Sequence, residues 1–262
     1  MAFFNYKEKN IHYLSEGLGP VIVLLHGYLE NLSMWDEMVE KLAKTNQVVR
    51  VDFPGFGKSE CIEHENGMAL YAEITAHLLD ILNIDKYALI GHSMGGYVAL
   101  ELASSYPKKT SQLILFHSTA QADSEEKKTM RNRALKALPK KNAYLKTAIK
   151  LLFPSPFQKT CKRQIDKMIQ EASMLNANGI AVALTGMRER KEHAKTVQEL
   201  TYKTTYITGK LDPILDSRQV KIEAQNNKAQ YIELENAGHM SHWETSEKAT
   251  TILLKTLRIK TL

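Results

Sequence analysis

A serine, an aspartate and a histidine that could together make a hydroxyl nucleophilic are spread along this 262-residue chain. The stretch LIGHSMGGYVALELA, residues 89–103, contains Ser93, with Gly91 two residues before it and Gly95 two after. An apolar strand-like run, YALIG, leads into the serine, and a helix-forming run, GYVALELA, comes after it. Ser93 is therefore expected on a sharp strand-to-helix turn. Such a turn is strained, and Gly91, Gly95 and Gly96 are the small residues that let the chain pack around it. A hydroxyl is a weak nucleophile alone; it needs a base within hydrogen-bond reach, and the base needs an acid to orient it. In an open α/β sheet both belong just beyond the carboxyl ends of strands. Asp212 comes after TTYITGKL and His239 after YIELENAG, which puts one candidate for each role at such a position. The chain order Ser…Asp…His is the one that goes with a nucleophile on this kind of turn.

Neighbouring groups compete for these roles. Asp216 is four residues past Asp212 and reads as part of the next helix or its cap. His242 is three residues past His239, which is closer to the strand and directly after Gly238. His92 adjoins the nucleophile, but its side chain should point away, as a packing residue or a support. His26 and His117, at strand ends, read as structural. Acyl transfer also needs donors for the developing oxyanion. The backbone N–H of Met94, just after the nucleophile, is one. The other is the N–H of Tyr28 in LLHGYLEN, where Gly27 lets the backbone turn sharply.

Several elements must position these groups. PVIVLLHG (20–27), QVVRVDFPG (47–55), YALIGHS (87–93), SQLILFHS (111–118), KTTYITGKLD (203–212) and AQYIELENAGH (229–239) read as buried strands. Helical patterns alternate with them over about 33–44, 68–82, 94–105, 216–225 and 245–258. That alternation predicts a largely parallel sheet with helices on both faces. AFFNYK and NIHYLSEG, ahead of it, look like an antiparallel hairpin.

The rhythm breaks from about 120 to 198, where EEKKTMRNRALKAL, AYLKTAIKLLF and KRQIDKMIQEASML read as helices, with Pro154 and Pro156 breaking between them. The expected division is a core of 1–119 and 199–262, with 120–198 inserted as a helical lid over the carboxyl edge of the sheet. Met130, Leu135, Leu138, Leu151, Leu152, Phe153, Met168, Met174 and Met187 either line a pocket beneath it or pack its helices together. The net charge of +6 is concentrated here: Asp123 to Lys195 holds 17 Lys and Arg against 7 Asp and Glu. The charges are interleaved with apolar residues at helical spacing, as on the solvated face of amphipathic helices. They accompany no nucleic-acid motif, although they leave room for an anionic substrate.

The composition is that of a globular domain, 44% hydrophobic and 24% charged. No apolar run is long enough to cross a bilayer. The start, MAFFNYKEKN, lacks the basic and apolar pattern of a signal peptide. Two distant cysteines, Cys61 and Cys161, suggest neither a metal cluster nor a disulfide framework. These features predict a cytoplasmic protein with no membrane or nucleic-acid partner.

Four features together, HGY at 26–28, DFPGFGKS at 52–59, GHSMGG at 91–96, and the GKLD and AGH pieces ending in Asp212 and His239, resemble the α/β-hydrolase fold superfamily over nearly the whole chain. The resemblance implies an eight-stranded, mostly parallel sheet with a helical lid. It also implies that Asp52, Pro54, Gly55, Gly57 and Ser59 shape a structural loop. The lidded form is similar to carboxylesterases, enol-lactonases, cofactor-free haloperoxidase or perhydrolase-type esterases, and C–C bond hydrolases. Relatives with aspartate at the elbow, such as epoxide hydrolases and haloalkane dehalogenases, do not fit Ser93. Large lipases carry a glycine-rich oxyanion loop that HGYLEN does not match. Hydroxynitrile lyases keep the triad and stay open, as does a ligand-binding receptor on the same scaffold. The implied activity is hydrolysis of a small-molecule carboxylic ester or related acyl substrate, with no metal or organic cofactor required.

Overall fold

The computed structural model describes residues 2–63, 67–200 and 204–257. Lys203 and Arg258, at the ends of a predicted strand and a predicted helix, lie outside them. Eight strands form one sheet: β1 (Ala2–Tyr6), β2 (Lys9–Glu16), β3 (Val21–Leu25), β4 (Gln47–Val51), β5 (Tyr87–His92), β6 (Thr110–Phe116), β7 (Thr204–Gly209) and β8 (Gln230–Leu234). Their order across the sheet is β1-β2-β4-β3-β5-β6-β7-β8. β1 and β2 form the expected hairpin, whose turn residues Lys7 and Glu8 both have positive φ, and β2 pairs antiparallel with β4. Every other neighbouring pair is parallel. The predicted strand over 47–55 stops at Val51, and that over 229–239 stops at Leu234. Each strand gives way there to a loop at the carboxyl edge.

The central strands are apolar on both faces because helices cover both. Side chains alternate along a strand. Val23, Leu25, Val49, Leu89, Leu113 and Tyr206 enter one core with α2 (Gly67–Ile81) and α3 (Met94–Ser105). Ile22, Leu24, Val48, Ile90, Ile114 and Ile207 enter the other, against α1 (Asp36–Leu42) and the C-terminal α12 (Ser246–Leu257). The helix expected over 33–44 is in fact a 3₁₀ turn, Leu32–Trp35, followed by α1. The one expected over 245–258 is preceded by a short helix, α11 (Ser241–Glu244).

Between β6 and β7 lie α4 (Glu125–Ala137), α5 (Lys141–Leu151), α6 (Ser155–Thr160), α7 (Lys162–Met174), α8 (Ala177–Glu189) and α9 (Ala194–Glu199). Ser124 caps α4 by accepting the Lys127 N–H, with Glu125 and Glu126 favourably placed in the first turn. α8 packs on α2 and α4, and α5 on α7. Gly55 and Gly179 lie so close that a Cβ on either would meet the other's Cα at 2.7–2.8 Å, which seats α8 directly on the loop after β4. Of the apolar residues singled out in this segment, Phe153, Met168 and Met187 are buried in the main core. Met130, Leu151 and Met174 are 60%, 60% and 75% exposed and line no site beside Ser93. α10 (Ser217–Asn226) lies after β7 and is capped by Asp216, whose side chain accepts the Arg218 N–H.

Candidate active site

β5 is flanked by β3 and β6 in the middle of the sheet, so its carboxyl end is where loops from several strands converge. Ser93 is the next residue. Its φ of 49° and ψ of −114° lie outside the comfortable regions for a residue with a Cβ, as a strained elbow requires. The strain is held from three sides. The Ser93 N–H donates to Phe116 O (3.0 Å), and Ser93 O accepts the Gly96 N–H (2.9 Å) and the Ser118 hydroxyl (2.8 Å). The glycines answer to contacts rather than to dihedral freedom. A Cβ on Gly91 would lie 2.3 Å from Gly95 O, and one on Gly95 2.3 Å from Leu25 O. Gly95 thus lets the first turn of α3 sit on the end of β3, beside the loop that carries Tyr28. Met94 is the first residue of α3, so its N–H is among those that a helix leaves without an internal acceptor.

The structure brings the three predicted side chains together. His239 Nε2 is 3.0 Å from Ser93 Oγ, and His239 Nδ1 is 2.8 Å from Asp212 Oδ2. Asp212 lies three residues past β7 and His239 five past β8. Gly209 brings them near, since a Cβ there would be 2.3 Å from Ala237 O, and the loop before His239 crosses against the end of β7. Leu211 N–H then donates to Ala237 O (2.9 Å). Asp212 Oδ1 accepts the N–H groups of Ile214 (2.8 Å) and Leu215 (3.0 Å). Burial by itself would raise this carboxyl, but His239 and His117 outweigh it and hold the group well below the usual carboxylate range.

His117 is more closely engaged than its reading as a structural residue implies. Its Nδ1 reaches Asp212 Oδ2 and its Nε2 meets the Ser241 hydroxyl at 2.6 Å. Burial lowers it to about 4, so it is neutral, donating through Nδ1 and accepting at Nε2. His92 points away from Ser93, as expected, and its Nε2 lies 2.9 Å from His239 O. Its Nδ1 meets Glu30, which sequence reasoning missed. No local signal marks the contact, because the two residues are 62 apart in the chain. Gly27 does not have positive φ; Leu29 does, at 63°. Gly27 is small because a Cβ would lie 2.2 Å from Glu30 Oε2. His26 accepts the Phe53 N–H at Nε2 and donates to Gly27 O from Nδ1, a packing role. His242 is buried against Trp35 and His92, away from Ser93.

The loop after β4 is tied by Asp52, which accepts from Leu32 N–H (2.7 Å), Lys58 N–H (2.9 Å) and His12 Nδ1 (2.7 Å). Gly57, at φ 54°, passes where a Cβ would strike the Asp52 carboxylate at 2.2 Å. Two groups of imidazoles and carboxylates, Glu30–His92–His242 and His117–Asp212–His239, have donor atoms within 4.8 Å of one another. They face each other as hydrogen-bond and ion-pair partners, and we assign no metal to them. A cavity of about 620 Å³ lies between α7 and the loops around Leu29–Ser33 and Gly55–Cys61. The three triad residues are not in its wall.

A profile described as alpha/beta hydrolase fold matches residues 20–246. The chain belongs to the alpha/beta hydrolase fold family. An esterase from Thermogutta terrifontis superposes on it with a TM-score of 0.89 at 28% identity, covering 95% of this chain and 93% of that one. The enol-lactonase from Burkholderia xenovorans LB400 superposes with a TM-score of 0.89 at 22% identity, covering 98% and 99%, a likeness of fold. A 2-hydroxy-6-oxononadienedioate/2-hydroxy-6-oxononatrienedioate hydrolase from Burkholderia vietnamiensis is 28% identical over 201 residues, 74% of this chain and 66% of its own length. Matches to mycobacterial proteins reach 36% identity over 99 residues, spanning 29% of those relatives. No described helix is long and apolar enough to cross a membrane.

Proposed function

We propose that this alpha/beta hydrolase is a serine esterase that cleaves small-molecule carboxylic esters through an acyl-enzyme. The observation that carries the reading is the aligned relay from Asp212 Oδ2 to His239 Nδ1 and from His239 Nε2 to Ser93 Oγ, at 2.8 and 3.0 Å. His239 takes the Ser93 proton as Oγ attacks the acyl carbon. Asp212 holds the imidazole in the tautomer with its proton on Nδ1 and stabilises the imidazolium that forms. The Tyr28 and Met94 N–H groups receive the oxyanion. His239 then protonates the departing alkoxide, and water attacks the acyl-enzyme by the same steps in reverse. The residues 120–198 act as the lid, and Tyr144 of α5, whose hydroxyl meets that of Tyr28 at 3.1 Å, joins it to the oxyanion turn. The free thiols Cys61 and Cys161 accord with a cytoplasmic setting.

Hydrolysis of p-nitrophenyl acetate and butyrate by the wild type and by Ser93→Ala tests the reading. Turnover should fall by several orders of magnitude in the variant, because such residues act as a unit. A fluorophosphonate should label Ser93 and no other serine. Equal hydrolysis by both proteins refutes the assignment. A folded, unlabelled protein that a ligand stabilises indicates a receptor. The likeness to the Burkholderia vietnamiensis hydrolase favours C–C bond hydrolysis as the second reading, and activity on a vinylogous diketone but not on simple esters would select it.

A further inference from the structure

Three separate pieces of the proposed catalytic apparatus meet at one buried carboxylate–imidazole pair. Glu30 Oε2 accepts the N–H of Gly27 (2.7 Å), the residue just before Tyr28, and lies 2.8 Å from His92 Nδ1. The Glu30 N–H in turn donates to Gly27 O (3.3 Å), which closes residues 27–30 into a tight turn. His92 immediately precedes Ser93, and its Nε2 lies 2.9 Å from the carbonyl oxygen of His239. Glu30 and His92 are 4% and 1% exposed. Gly27 is the residue that admits this arrangement, since a Cβ there would also lie 2.7 Å from His92 Nδ1.

The partners fix one proton and leave the second to the charges around the pair. A backbone carbonyl can only accept, so His92 Nε2 must carry a proton. Glu30 Oε2 already accepts one N–H, and as a carboxylate it accepts a second from Nδ1. The arrangement is satisfied when His92 is doubly protonated and Glu30 is ionised. Around the pair, His242 Nε2 is 3.5 Å from Glu30 Oε1, and the rings of His239, His242 and His117 are 5.0, 5.0 and 5.9 Å from that of His92. His117 and His242 are kept neutral, chiefly by burial. Asp212 and Glu244 are the other acidic groups whose charge bears on His92. Burial opposes the charge on His92, but the Glu30 carboxylate and the His239 carbonyl outweigh it and raise the imidazole above its ordinary value.

We propose that Glu30 and His92 are positioning residues, a buried carboxylate–imidazolium pair that locks the oxyanion turn, the nucleophile elbow and the backbone of the base loop in register for acyl transfer. The pair touches no substrate. It acts through Gly27–Tyr28 on one side and His239 on the other, and a misplacement of about 1 Å between such groups is enough to cost on the order of a hundredfold in rate. The proposal rests on the esterase reading for its kinetic consequence but not for its protonation state, and the two can fail separately.

Two measurements test it. In the wild-type protein, ¹⁵N-resolved spectra of the histidine rings, assigned with His92→Gln, should show both His92 nitrogens protonated at pH 7.5. A neutral His92 overturns the pair whether or not the protein hydrolyses esters. Glu30→Gln keeps the size and an acceptor for the Gly27 N–H but removes the counter-charge. It should lower kcat on p-nitrophenyl butyrate about ten- to a hundredfold with KM within about threefold, and slow fluorophosphonate labelling of Ser93 in parallel. The alkaline limb of its kcat profile should move to lower pH, because His92 then loses its second proton more easily. A folded Glu30→Gln protein with wild-type kcat and an unmoved profile overturns the positioning role. A wild type that neither hydrolyses the ester nor labels refutes the esterase reading, and the ring spectra alone then decide the pair.

Discussion

His117 Nδ1 lies 3.2 Å from Asp212 Oδ2, the same carboxylate oxygen that His239 Nδ1 reaches at 2.8 Å. One oxygen therefore serves two imidazoles, one facing Ser93 and one sealed behind. His117→Phe should lower kcat on an activated ester about tenfold, because Asp212 loses one of the groups that aim it and the Ser241 hydroxyl loses its acceptor. His239→Ala, by contrast, should lose several orders of magnitude. The pH dependence separates the two further. His117 is held at about 4 against an ordinary 6.5, so the neutral form belongs to the fold. Its contribution to stability is full above pH 6.5 and is lost as pH falls toward 4, an effect on the order of 2–3 kcal/mol. Urea unfolding at pH 7 and pH 4.5 should show that loss in the wild type and a smaller one in His117→Phe.

Asp212→Asn should fold, since an amide oxygen can still accept the Ile214 and Leu215 N–H groups. Its NH₂ would then face His239, force the proton onto Nε2 and leave Ser93 without a base. A fall in kcat of roughly 10³–10⁴ with an unchanged circular dichroism spectrum is the expected result. Near-normal turnover would remove Asp212 from the mechanism.

Glu244 gives a stability effect of the opposite sign. Its Oε2 accepts the Gly238 N–H next to His239, and its Oε1 is buried with no hydrogen-bond partner among the described residues. Burial pushes this carboxyl up to about 7 from 4.5. Stability from the protonated form is full below pH 4.5 and is lost as pH rises through 7. Glu244→Gln, neutral throughout and still able to accept from Gly238, should gain on the order of 1 kcal/mol over the wild type at pH 8 and nothing at pH 4.5. Thermal melts at both pH values check it.

Asp123, just before α4, and Arg190, just after α8, form a buried ion pair, Nη1 to Oδ1 at 2.5 Å. The guanidinium also lies 3.9 Å over the Tyr97 ring of α3 and donates to Met187 O and Gln121 O. Asp123→Ala strands a buried cation and should cost about 3–5 kcal/mol in urea unfolding. A cost under about 1 kcal/mol would show that the clasp carries no weight.

Much of the site is written locally in the chain. Gly91, Ser93 and Gly95 are legible because a strand-to-helix elbow imposes small residues at fixed offsets, and Asp212 and His239 because loops past strand ends sit at one edge of the sheet. The alternation of apolar runs likewise gives the sheet and its covering helices, because periodicity is a property of the chain itself. The tertiary structure decided what depends on approach between distant segments. Nothing near Glu30 in the chain shows that His92, 62 residues away, needs its carboxylate. Nothing near Gly209 shows that the loop before His239 must cross it. His117 reads as structural from sequence because its strand-end position says nothing of a loop 95 residues on. Buried charges are matched by partners in space, and only the folded chain selects those partners.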